Sequence, residues 1–308
     1  MQTLGVEVER LLAHPRFDRA AQQLARGFIA VQTAAPRLAS QFATQQRWLM
    51  SHAALAHYFR GLRAGRPGLS RREFVLAILT HGLASRNTAA AFFVEALQYG
   101  LLLQTKVHAG LVEPAPATLE ALVEWYRIHL AALDSLDGGI RAARLQEASA
   151  ALLMAMEPAT ADALLSSELI RVPPPAYAVL ASVDEGGSLM DRLIVGVDMS
   201  ASPDEERVVT DVTSVSALAR PFNLSRTHAG RTIAAAVATG SIGWSGARGR
   251  SPIWLSRRFR ADYARFQATK LAIIAVAFEQ AAMGAAPARP SAVIAARAVR
   301  EPSDQPAC

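Results

Sequence analysis

Ser225-Arg226-Thr227-His228-Ala229, closed by Gly240, is matched 140 residues earlier by Ser85-Arg86-Asn87-Thr88-Ala89, closed by Gly100. Each stretch opens on a serine able to cap a helix, runs through helix-compatible residues and stops at a glycine suited to a left-handed C-terminus. The same offset pairs Leu49-Met50 with Leu189-Met190, Val75 with Val215, Ala77 with Ala217 and Ala96 with Ala236. Before each capped helix lies a shorter helical pattern and a tight turn. Two helices so joined make a helix-turn-helix, whose second member fits a DNA major groove.

The rest of the chain is consistent with two such modules. Its 308 residues suffice for two domains, and a 51% hydrophobic content with 6% aromatics reads as globular. Cys308 is the one cysteine, so no disulfide framework arises within the chain, as suits a reducing cytoplasm. Glu7, Glu9 and Arg10 stand where a signal peptide needs an apolar core, and the apolar run Leu271 to Phe278 is too short for a membrane span. A cytoplasmic protein with no membrane partner is expected. The net charge of +6 is segregated: residues 1–110 carry 13 Lys+Arg against 5 Asp+Glu, and residues 211–308 carry 13 against 5. Residues 111–210 carry 6 against 16. Two basic lobes flanking an acidic middle are the footprint of phosphate-facing modules on a connector that avoids DNA.

Breakers and periodicity divide the chain further. Residues 1–45 read as an N-terminal helical segment, with Leu24, Phe28 and Val31 on one face. The first lobe, 46–112, holds a helix to Leu62, the breaker Gly65-Arg66-Pro67-Gly68, a helix with a Ser70/Glu73 capping box, the Ser85 helix and a hairpin over Leu101 to Val107. An acidic helical connector follows over 113–187, broken at Gly138-Gly139 and Glu157-Pro158. Residues 188–258 form the second lobe, with a short helix expected from Ser202. A packing helix (259–284) and a disordered tail (285–308) complete the chain.

The second lobe carries the stronger chemistry. In Val215 to His228, Leu218 and Ala219 supply one large and one small buried side chain, as two closely crossing helices need. Phe222 and Leu224 bracket the turn, and Asn223 falls where a left-handed backbone is wanted. Beyond the cap, Arg226, Thr227, Gly230 and Arg231 face outward, with His228 beside them. Arginine can make a bidentate contact to guanine, while serine and threonine reach phosphate or a base edge. Ile242-Gly243-Trp244 and Ile253-Trp254-Leu255 alternate as two short strands. The tip between them bears Arg248 and Arg250, placed to reach phosphates or a minor groove.

This helix, turn, Ser-Arg-Thr-His helix, glycine and basic hairpin resembles the winged helix-turn-helix of bacterial transcriptional regulators, MarR-type proteins among them. The resemblance spans roughly Ser188 to Arg258 and more faintly Gln46 to Val107. It implies a mainly α fold of tandem winged helix-turn-helix lobes forming a pseudo-dimer, with small β-hairpin wings and connecting and packing helices. It implies sequence-specific binding of double-stranded DNA through Ser225, Arg226, Thr227, His228 and Arg231 on the helix and Arg248 and Arg250 on the wing. A homodimer and a small-molecule effector are further partners it allows. Pro221, late in the motif's first helix, and Asn223, in place of the common glycine, depart from the family pattern.

In the first lobe Ser85, Arg86, Asn87 and Thr88 occupy the reading positions, with Arg71 and Arg72 placed for phosphates. Ala91-Phe92-Phe93 replaces Arg231-Thr232-Ile233 there, and Lys106 is the one cation of its wing. The alternative reading is therefore a protein-interaction module whose first lobe does not read DNA. Catalysis is not expected: Gly243-Trp244-Ser245-Gly246 misses the nucleophile-elbow spacing by one residue. His52 and His57, five apart, do not stack as metal ligands on one helix face, and no cofactor or metal is implied. Trp125, Tyr126 and His129 share one helix face that is either core or the wall of an effector pocket.

Overall fold

Local signals set the boundaries of the first half. A computed structural model describes residues 2–36, 42, 44–66, 68–105 and 110–284. The described chain is mainly helical, with a two-stranded and a three-stranded antiparallel sheet. Helices α1 (Gln2–Leu12) and α2 (Phe17–Ala34) precede α3 (Gln45–Arg63), α4 (Arg71–Thr80) and α5 (Arg86–Gln98). Strands β1 (Leu102–Gln104) and β2 (Val112–Pro114) form a hairpin, and the long helix α6 (Pro116–Asp137) follows. The capping box at α4 is complete: Ser70 Oγ accepts from Glu73 N at 3.1 Å, and Glu73 Oε2 accepts from Ser70 N at 3.2 Å. Leu69 bridges Val112, so a third strand-like segment enters the hairpin from before α4.

The second half repeats this order with different trimmings. Helices α7 (Arg141–Glu147), α8 (Ser149–Ser166), α9 (Glu168–Arg171) and α10 (Pro175–Ala181) lead to α11 (Gly186–Val195). Then come β3 (Arg207–Val209), α12 (Val215–Ala219) with a 3₁₀ turn over Arg220–Phe222, α13 (Arg226–Ala238), β4 (Ile242–Trp244), β5 (Ile253–Ser256) and α14 (Arg257–Gly284). The sheet order is β3-β5-β4, with Val208 opposite Leu255 and Gly243 opposite Trp254. Helices α5 and α13 are both 13 residues long and end alike. Gly100 and Gly240 have φ of 72° and 70°. Leu101 N then donates back to Ala96 O at 2.8 Å, as Ser241 N does to Ala236 O at 3.2 Å.

The turn before each capped helix is shared, but not at the 140-residue offset. Gly82 (φ 60°) and Asn223 (φ 58°) take the same left-handed conformation, and each is followed by a leucine whose N–H closes the turn. Leu83 donates to Ile78 O at 3.1 Å and Leu224 to Ala219 O at 3.3 Å. Lobe one inserts Ala84 between that leucine and its cap; lobe two does not. Residues before the turn therefore correspond one position later, and the matches Val75/Val215 and Ala77/Ala217 are out of register. The left-handed position makes a prediction. Asn223→Val puts a β-branched residue at positive φ and should cost about 1–2 kcal/mol in urea denaturation, while Asn223→Gly stays within a few tenths.

Packing crosses between the halves. Helix α2 packs on α11, the first helix of the second lobe, and α8 packs on α3, the first helix of the first lobe. Likewise α2 packs on α6 and α8 on α14, while α1 packs on α14, α7 on α6, and α6 on α14. Exchanging α1 with α7, α2 with α8, α3 with α11 and α6 with α14 leaves this set of contacts unchanged. One hydrophobic cluster runs from Val8 to Ala281. The repeat identities Leu49-Met50, Leu189-Met190, Ala96 and Ala236 all lie in it, which explains their sameness as packing.

Several sequence expectations are corrected. Glu157-Pro158 is not a break: Pro158 lies inside α8, whose Leu152, Leu153, Met156, Ala161 and Leu164 are buried. Tertiary burial outweighs the lost backbone bond there. The break falls earlier, at Ala148 between α7 and α8. Ser202 to Glu205 is a turn instead of a helix, closed by Asp204 N on Ser202 Oγ at 3.3 Å. The expected boundaries at 112/113, 187/188 and 258/259 cut through β2, α11 and α14. The first-lobe hairpin pairs Leu102 with Pro114, and Lys106 and the 285–308 tail lie outside the described residues.

Candidate nucleic-acid interface

Helix α13 begins with a side-chain cap that leaves its first turn facing outward. Ser225 Oγ accepts from His228 N at 3.1 Å, so the helix starts at Arg226, and Arg226, Thr227 and Arg231 are exposed. Ala229, Thr232, Ile233 and Ala236 turn inward at the helical period. His228 is half-buried, and its Nε2 lies 3.1 Å from Asp184 O in the segment before α11. That contact makes His228 a link between α13 and its scaffold, at the edge of the exposed face.

The hairpin beside it has a closed tip, not a loose one. Ser245 N donates to Pro252 O at 2.9 Å, Gly246 N to Ser251 Oγ at 2.9 Å, and Arg250 N to Ala247 O at 3.0 Å. At its base the Trp254 Nε1–H donates to Trp244 O at 3.2 Å, and the Arg207 guanidinium lies 4.5 Å over the Trp254 ring. Arg248 and Arg250 are exposed at the tip. Among the described residues, Arg226, Arg231, Arg248 and Arg250 have no carboxylate within ion-pair distance. Arg60, Arg141, Arg192 and Arg265, by contrast, hold Asp162, Asp134, Asp211 and Glu9. Unneutralised guanidinium groups on one capped helix and one hairpin are suited to phosphate oxygens and guanine edges.

The first lobe has the same frame. Ser85 Oγ accepts from Thr88 N at 3.2 Å, and Arg86, Asn87 and Thr88 are exposed, as are Arg71 and Arg72 on α4. Phe92 and Phe93, expected on the outer face, are buried against Phe74. They match the buried Thr232 and Ile233, so the exposed difference at this point is Ala91 for Arg231. Elsewhere on this lobe Leu76, Val94, Tyr99 and Leu103 are exposed.

Two interior features lie away from the exposed arginines. The first joins α3, α6 and α8 at Glu157, which is fully buried. Its Oε1 lies 2.9 Å from His52 Nδ1, and its Oε2 accepts the Tyr126 hydroxyl at 2.7 Å. Burial, with the adjacent Glu157 charge, holds Tyr126 well above the ordinary tyrosine range. The second is a cavity of about 270 Å³ reached by α2, α3, α6, α10, α11 and α14. Trp125 lines it, whereas Tyr126 and His129, on the same helix, are fully buried and face the core. Lys270 of α14 also lines it and is 7% exposed. Burial lowers Lys270 to about 8 despite the pull of Asp191. Burial likewise raises Asp191 to about 6, against the Tyr263 hydrogen bond and the Lys270 charge. A lone lysine inside the apolar run Ala268 to Ile274 was the available signal.

Comparison with protein-family models, curated proteins and solved structures returned no match to this chain. Among the described residues no helix is long and apolar enough to cross a membrane.

Proposed function

We propose that this chain is a sequence-specific, double-stranded DNA-binding transcriptional regulator built from two winged helix-turn-helix lobes in one polypeptide. The observation that carries the reading is α13, a side-chain-capped helix exposing Arg226, Thr227 and Arg231 beside a hairpin exposing Arg248 and Arg250. The recurrence of helix, strand-like segment, helix, left-handed turn, helix and hairpin supports calling both lobes winged helices. The exchange-symmetric packing supports a pseudo-dimer, in which one chain does the work of two subunits. In this reading α13 enters the major groove, Arg226 and Arg231 reach base edges, and the wing arginines hold flanking phosphates.

A second reading is favoured for the first lobe alone. Its exposed Leu76, Val94, Tyr99 and Leu103 are a poor surface against DNA and a better one against protein. Salt separates the contributions. Affinity for duplex should fall steeply between 50 and 200 mM salt, tested by fluorescence anisotropy. The double Arg248→Ala/Arg250→Ala variant should weaken binding to all sequences alike and lower the salt slope by about two. A salt slope unchanged by the double substitution would remove the wing from the interface.

A further inference from the structure

The two capped helices correspond residue for residue. Helices α5 and α13 each start after a serine cap and bury the same positions, Ala89, Phe92, Phe93 and Ala96 in one and Ala229, Thr232, Ile233 and Ala236 in the other. The 140-residue offset therefore holds along both helices, although it fails before the turn. The third residue of each is tied to the protein: Thr88 Oγ1 lies 2.9 Å from Ser85 Oγ, and His228 Nε2 lies 3.1 Å from Asp184 O. Arg86 with Arg226, Asn87 with Thr227 and Ala91 with Arg231 remain as the exposed pairs of the first two turns. Among the described residues, no side-chain hydrogen bond holds Asn87 or Thr227.

These pairs differ in what they ask of a base. Arginine stands first in both helices, and its guanidinium makes a bidentate pair with O6 and N7 of guanine. Asn87 carries a carboxamide, which makes a bidentate pair with N6 and N7 of adenine. The Thr227 side chain offers instead one hydroxyl or a methyl contact to thymine. Arg231 adds a second guanidinium on the next turn, where Ala91 has only a methyl group. One contact is thus common to both lobes, and two are particular to one lobe. In a homodimer such differences cannot arise, because both reading helices have the same sequence.

We infer that the chain recognises an operator with a direction: Asn87 selects an adenine in one half-site alone, and Arg231 selects a guanine in the other alone. The inference rests on the DNA-binding reading and deepens it. Arg86 and Arg226 give the half-sites a shared guanine, so the two remain related in sequence. Asn87 and Arg231 assign each lobe to its own half-site, and the chain sits on the duplex in one orientation. The unequal outer surfaces of the two lobes then always face the same flanks of the operator.

Selection from a random duplex pool by the full chain and by three variants tests the direction, with anisotropy on the best duplex of each. The wild type should enrich two half-sites that share a guanine, with an adenine at the Asn87 position of one only. Replacing that adenine should weaken the wild type about five- to a hundredfold and the Asn87→Thr chain less than about twofold. Thr227→Asn should install an adenine preference at the equivalent position of the other half-site. Ala91→Arg should install a second guanine preference in the first half-site. A gained preference cannot come from misfolding, so these two variants serve if Asn87→Thr fails to fold. An adenine preference that survives Asn87→Thr, a Thr227→Asn chain with wild-type preferences, or one substitution altering both half-sites would overturn the direction. Two identical half-sites, or a single motif, would overturn it while leaving DNA binding in place. A wild type that enriches no sequence at any salt would refute the DNA-binding reading itself, and the direction with it.

Discussion

Arg226→Ala and Arg231→Ala should each cost about 1–3 kcal/mol of discrimination between a selected duplex and a scrambled one, and the pair about the sum. The expectation follows from exposure and from the absence of competition. Both guanidinium groups stand on the first turns of a helix whose N-terminus is fixed by Ser225, and no described carboxylate neutralises either. Their loss removes a donor pair without disturbing the core, because Ala229, Ile233 and Ala236 do the packing on the opposite face. Melting temperature should therefore be unchanged while specific affinity falls. The equivalent change at Arg86 should have a smaller effect, since Ala91 replaces the second arginine and Val94, one turn further on, is exposed and apolar. Equal losses from Arg86 and Arg226 would show that the two lobes read DNA alike. Retained discrimination in the double variant would take α13 out of the groove.

The other large effect is on folding. Glu157→Ala should destabilise the chain by about 3–5 kcal/mol, because it strips a fully buried acceptor from both His52 and Tyr126. Those two residues come from α3 and α6, so the loss is felt where the first lobe meets the helices of the second half. Glu157→Gln keeps the shape and one acceptor oxygen and should cost less. Urea denaturation followed by far-ultraviolet circular dichroism measures both. Specific DNA affinity per folded molecule should be unchanged, which separates this network from the interface. An Ala variant within about 1 kcal/mol of the wild type would mean that the two partners find other acceptors.

What the sequence made legible was local. A cap and a left-handed glycine are encoded within one turn of the helix they bound, so Ser85, Ser225, Gly100 and Gly240 could be read directly. The same holds for the Ser70/Glu73 box and for Asn223 at positive φ. The second hairpin was legible too, because two short stretches, Ile242 to Trp244 and Ile253 to Leu255, flank a tip holding Gly246 and Gly249. Contacts between distant segments were not. His52 and Glu157 are 105 residues apart, and nothing in either neighbourhood signals the other. Pro158 was read as a breaker because propensity is local, whereas the burial that keeps α8 continuous is tertiary. The inserted Ala84 was hidden for a related reason: an ungapped offset favours chance identities such as Ala77/Ala217 over the true correspondence of Gly82 with Asn223. Phe92 and Phe93 looked like a spoiled groove face because large aromatics at Arg–Thr–Ile positions differ in type, yet two of the three positions are interior in both lobes.

The central claim is that one polypeptide presents two winged-helix lobes to one duplex. Selection of bound sequences from a random duplex pool, with the mass of the selected complex measured, tests it most directly. The account predicts enrichment of two related half-sites, one better conserved than the other, centred about one or more helical turns apart, with a single chain per duplex. A single unrepeated motif, two chains per duplex, or no enrichment at any salt would contradict it.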